Sequence, residues 1–73
     1  MIHKIQGMNF KDGTQFMVID HSNDYGMYDN IIYVFHGVDK YGKMIISNDY
    51  ENKMYSSHKI SLLEYHKIEL KLV

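Results

Sequence analysis

The chain has 73 residues, eight of them basic and nine acidic, a formal charge of -1 and no cysteine. That length allows one domain with one thin core, because a chain this short buries only about 60% of the surface its unfolded form exposes. The missing cysteines exclude a disulfide scaffold and a thiolate zinc site, and the near-zero charge supplies no overall field to gather a polyanion.

Taken in chain order, the first expectation is a hairpin. The segments 3–10 and 15–21 flank Lys11-Asp12-Gly13-Thr14, and Asp-Gly supplies the positive φ angles that a type I′ turn needs. In the second arm Phe16 and Val18 point one way and Met17 and Ile19 the other, so both faces of that strand are expected to be partly covered. Residues 20–30 are dominated by turn formers and acids and read as a long surface loop.

Residues 31–38, Ile-Ile-Tyr-Val-Phe-His-Gly-Val, are β-branched and aromatic on both alternating faces, as in a central strand. Asp39-Lys40-Tyr41-Gly42 reads as a tight turn into a returning strand over 43–47. Residues 48–52 turn the chain again toward a weaker strand at 53–59. Ser61-Leu62-Leu63-Glu64 has the form of a capping box and predicts one helical turn. From Lys67 to Leu72 charged and aliphatic residues alternate, the mark of a strand with one wet and one buried face.

There is no repeat, low-complexity stretch or linker, so residues 1–73 are expected to form a single, mainly β domain. From about Gln15 onward the order is strand, long loop, strand, short turn, strand, short turn, strand, one helical turn, strand. That order resembles an SH3-like small barrel, with 20–30 as the long first loop, 39–42 as the next connection and 61–65 as the short helix. The resemblance implies a small antiparallel barrel, or a strongly bent sheet, of five to six strands with one helical turn before the last. It is an order of elements without a diagnostic motif, and fold alone does not assign function.

The constellations that could carry chemistry are thin. Asp20, Ser22 and Asp24 are spaced like calcium-loop ligands, but Tyr25 stands where glycine is required and Ile31 where the bidentate glutamate belongs. The five histidines show no tight ligand spacing, and His21 and His36 are the one pair that neighbouring strands could bring together. Ser56, Ser57 and His58 are chain neighbours, and adjacent residues of a regular strand face opposite ways. The five glycines are scattered, so no phosphate-cradling loop is present. These readings predict no catalytic group, no metal and no cofactor.

Seven tyrosines against three phenylalanines are the unusual feature, because tyrosine is amphipathic and favoured at recognition surfaces. Tyr25, Tyr28, Tyr41 and Tyr50 fall in expected loops or turns, among Asp20, Asp24 and Asp29. These seven residues form the expected binding surface of a small non-enzymatic module whose partner is another protein. An AT-rich codon bias, which also fits the absence of Ala, Arg, Pro and Trp, is the competing explanation for the tyrosines. The same bias and the small size suggest a phage or prophage protein that modulates a host protein.

Two other classes stand behind it. The apolar character of 31–38 on both faces suggests a self-assembling component, such as a homodimer. A nucleic-acid-binding small barrel is disfavoured, since the lysines are spread out and no arginine is present to clamp phosphate. No signal-peptide apolar core and no run of about 20 apolar residues is seen, so a cytoplasmic location away from membranes is expected.

Overall fold

The computed structural model describes residues 1–19 and 27–73. Among them the first reversal of the chain lies at Gln6-Gly7, where φ is +52° and +78°. Two successive positive φ angles make a two-residue hairpin turn, and it joins β1 (His3–Ile5) to β2 (Met8–Phe10) with Ile5 opposite Met8. The stretch 3–10 is therefore a hairpin in itself, and the hairpin expected around Asp12-Gly13 does not form.

That second turn does exist. Thr14 donates its backbone N–H to the Lys11 carbonyl at 2.9 Å, and its hydroxyl accepts from the Lys11 N–H at 2.9 Å. It serves a different purpose: Gly13 N–H donates to the Phe35 carbonyl and Phe35 N–H to the Thr14 carbonyl, both at 2.8 Å. The chain is thereby fed into β3 (Gln15–Ile19) alongside β4 (Tyr33–Val38), with Phe16 opposite Tyr33.

The main sheet has the order β6-β5-β4-β3-β7, all antiparallel, with β5 at Lys43–Asn48, β6 at Glu51–Lys59 and β7 at Glu69–Leu72. The run expected to be central is central. The last strand returns to pair with β3, so β3 has partners on both sides. Strands β6 and β7 remain as edges, and the described residues form an open five-stranded sheet plus a two-stranded hairpin, not a closed barrel.

A 3₁₀ turn at Ile60–Leu62 precedes β7, as expected, but without the capping box. Strand β6 runs on to Lys59, which takes the cap position with no side-chain bond, leaving Ser61 inside the turn. Backbone bonds from His66 to Leu62, Lys67 to Glu64 and Ile68 to Leu63 then compact the connection to β7.

The core lies on one face of the main sheet. Phe16, Val18, Tyr33, Phe35, Met44, Ile46 and Leu70 are buried there, covered by Ile5 and Phe10 from the hairpin and by Met27, Leu63 and Ile68. Edge-to-face ring pairs tie the hairpin down, Phe10 to Phe35 at 5.3 Å and Phe10 to Phe16 at 5.4 Å between centroids. Among the described residues no helix is long and apolar enough to cross a membrane.

Candidate functional site

Tyr28, Tyr33, Tyr50 and Tyr55 lie where the ends of three strands meet. Tyr33 begins β4 opposite Asn48, which closes β5 and lies opposite Glu51 at the start of β6. The Asn48 side chain organises this end. Its Oδ1 accepts from the backbone N–H groups of Tyr50 at 2.8 Å and Glu51 at 3.1 Å, the bond pattern that makes asparagine a turn former. Its Nδ2 donates to the Tyr55 hydroxyl at 3.4 Å.

The Tyr33 ring is fully buried, yet its hydroxyl reaches the rim and accepts from the Tyr28 backbone N–H at 2.6 Å. This bond ties Tyr28 to the first residue of β4. Tyr28 and Tyr50 are left 55% and 79% exposed, with exposed carboxylates at Asp29 and Glu51 beside them. The result is an aromatic, acidic surface standing on buried phenols.

Those phenols titrate high. Desolvation, reinforced by Tyr33 nearby, pushes Tyr55 from 10.0 up to about 12, and burial likewise raises Tyr33. The hydroxyls stay protonated at neutral pH and act as hydrogen-bonding groups, not as bases or nucleophiles. Because the folded value of Tyr55 lies above the unfolded one, its contribution to stability is present below about pH 10 and is lost as the pH rises toward 12. Tyr55→Phe is expected to remove the highest step of a near-ultraviolet phenolate titration and to flatten the loss of stability across that window. A Tyr55 that titrates at its ordinary value means that this end is wetter than described.

No protein-family model matches the chain, and neither a curated protein nor a solved structure matches it. The site's own chemistry therefore carries the functional reading.

Of the residues expected to bind, Tyr28, Asp29 and Tyr50 come together at this end. Asp20, Asp24 and Tyr25 lie outside the described residues. Tyr41 sits in the turn at the other end of β4 and β5, on the order of 17 Å away along a six-residue strand. There the Lys40 ammonium stands 5.2 Å from the centre of the Tyr41 ring.

The Asp39 carboxylate organises that opposite turn, accepting from the N–H groups of Tyr41 at 2.8 Å and Lys43 at 3.0 Å and from the Ser56 hydroxyl at 2.7 Å. These bonds, the one from Lys43 foremost, hold its carboxyl below the usual range.

Tyr33, Asn48, Glu51 and Tyr55 are members of the cluster that alternation alone assigns to strands and turns. Asn48 carried the available signal, as an asparagine opening the Asn-Asp-Tyr-Glu turn between two strands. Of the pair His21 and His36, His21 lies outside the described residues. His36 is engaged elsewhere, Nδ1 with Asp12 at 3.2 Å and Nε2 with the Ser47 hydroxyl at 2.8 Å. Among the described residues no three His, Cys, Asp or Glu side chains converge as metal ligands.

Proposed function

We propose that this chain is a small non-enzymatic protein-binding module, and that its contact surface is the tyrosine-bearing end of β4, β5 and β6. One observation carries the reading: Tyr28 and Tyr50 are exposed at the same end of the sheet, next in the chain to Asp29 and Glu51, where Asn48 fixes the turn and Tyr33 is buried. Rigidly held tyrosines offer large contact area at low entropic cost, and flanking carboxylates favour a partner surface with basic groups. The strand order β6-β5-β4-β3-β7, with a 3₁₀ turn between β6 and β7, also supports an SH3-like reading of the main sheet.

The test is capture from nuclease-treated bacterial lysate by the tagged protein and by a Tyr28→Ala/Tyr50→Ala variant in parallel. The variant keeps the Tyr28 backbone N–H and removes only exposed rings, so its melting temperature is expected to stay unchanged. Its affinity for the captured protein is expected to fall about 30-fold, the size of one interface hot spot. Equal affinity for both proteins rejects this surface, and recovery that vanishes with nuclease transfers the function to nucleic acid.

A second reading is favoured by β6 itself. It is a nine-residue edge strand, and its exposed first half, from Glu51 to Met54, offers unpaired backbone groups as a template for a second copy of the chain. Sedimentation that shows only monomer at high concentration removes it.

A further inference from the structure

The end of the sheet remote from Tyr28 and Tyr50 carries a second constellation. Lys43, Ser57, His58, Lys59, Leu62 and His66 line a depression of about 350 Å³ at the start of β5 and the end of β6. We propose that this depression binds a tetrahedral oxyanion, either inorganic phosphate or the phosphoryl end of a small phosphate monoester.

The argument begins with register. Lys43 and Lys59 are direct partners across β5 and β6. Two ammonium groups placed opposite each other on antiparallel strands repel, so this pairing costs stability unless an anion lies between them. Beside it the register shifts: Ile45 pairs with Ser56, so Ser57 and His58 together face the single residue Met44. A bulge of this kind re-aims side chains. Ser57 and His58 would point to opposite faces of a regular strand, yet both line the same depression.

Each lining group suits the ligand. The Ser57 hydroxyl is buried and has no hydrogen-bond partner among the described residues, a state that a buried polar atom rarely keeps. His58 is only 7% exposed, and its ring packs edge to face on His66 at 5.6 Å, which in turn meets Tyr65 at 5.2 Å. The Ile60 N–H donates to the Gly42 carbonyl at 3.0 Å, fixing the 3₁₀ turn, and with it Leu62, against this end. On the β5 side the Asp39 carboxylate accepts from Lys43 N–H, Tyr41 N–H and Ser56 and lies within electrostatic reach of the Lys43 ammonium, which leaves Lys59 as the cation facing the depression without it. Two ammonium groups and a hydroxyl are donors that phosphate oxygens accept strongly. The volume is at the small end of ligand sites, which fits one oxyanion group and not an extended chain of phosphates.

The experiment is a titration of isotope-labelled protein, followed by amide chemical shifts, with inorganic phosphate, with phenyl phosphate and with chloride at constant ionic strength. Saturable shifts confined to Lys43, Ser57, His58, Lys59 and His66 are expected with one or both phosphates and not with chloride. The tighter of the two distinguishes a free-anion site from a monoester site. Lys43→Gln, Lys59→Gln and Ser57→Ala are each expected to weaken binding about tenfold, and Lys71→Gln on β7 to leave it unchanged. Because the lysine variants relieve like-charge repulsion they are expected to fold, and phosphate is expected to raise the melting temperature of the parent protein but not of Lys59→Gln. Shifts that never saturate, that spread over all the lysines, that chloride reproduces, or that persist unchanged in Lys59→Gln overturn the proposal.

Discussion

Phe35→Ala is expected to cost about 3–5 kcal/mol of folding stability, the range for emptying a large aromatic site in a core. Phe35 is fully buried, and its ring meets Phe10 at 5.3 Å and His3 at 5.7 Å, both edge to face. Its backbone is held by Gly13 and Thr14, the two residues that lead into β3. The side chain thus fastens the β1–β2 hairpin to the sheet, and the backbone fastens the link between them. A domain of this size has little stability in reserve, typically toward the lower part of 5–15 kcal/mol, so the variant is expected to be partly unfolded at 37 °C. Urea unfolding measures the loss, and limited proteolysis is expected to cut first within residues 1–14. A loss under about 1 kcal/mol contradicts a hairpin docked through this ring.

The strands that could be read from the sequence were those whose pattern is local. Alternation in 67–72 marks β7, which begins at Glu69 and leaves Leu72 exposed, the β-branched run at 31–38 marks β4, which begins at Tyr33, and Asp39 to Gly42 has the residues its turn requires. Both Gln6-Gly7 and Asp12-Gly13 place a glycine at positive φ, but only Gln6-Gly7 takes it at two successive residues, and β3 is claimed from both sides by β4 and β7. Competition between distant strands leaves no mark on the residues of a turn. The capping box failed for a related reason: edge strand β6 extends to Lys59 and moves the cap upstream of Ser61.

The candidate sites were legible by residue type and not by position. Tyrosine enrichment carries no position: whether Tyr28, Tyr41 and Tyr50 share a surface depends on which strand ends coincide, and register decides that. Tyr41 is in the turn at one end of the β4–β5 hairpin, while Tyr28 and Tyr50 are at the other. Ser57 and His58 would face apart on a regular strand, and the bulge beside Lys43 removes that premise. A second bulge, at His36, had a visible marker in Gly37, whose φ of +133° other residues rarely adopt. Nothing comparable marks the bulge in β6.

Gln6 gives the second large effect, and one whose origin can be separated chemically. Its side-chain amide lies along edge strand β7 as a short extra strand, Nε2 donating to the Ile68 carbonyl at 2.7 Å and Oε1 accepting from the Leu70 N–H at 2.9 Å. Gln6→Ala leaves two part-buried backbone groups without partners and is expected to cost about 1–3 kcal/mol by urea unfolding. Gln6→Glu tests the mechanism. A carboxylate can still accept from Leu70 but sets an oxygen against the Ile68 carbonyl, whereas the protonated acid can donate there again. The glutamate is therefore disfavoured as an anion in the folded protein, and its pKa is raised above its unfolded value of about 4.3. The stability it retains is present below the unfolded value and is lost as the pH rises through the folded one, so its deficit relative to the parent is expected to shrink on acidification. A deficit independent of pH would mean that the amide fills space along β7 without hydrogen bonding to it, and Gln6→Leu would then match the parent.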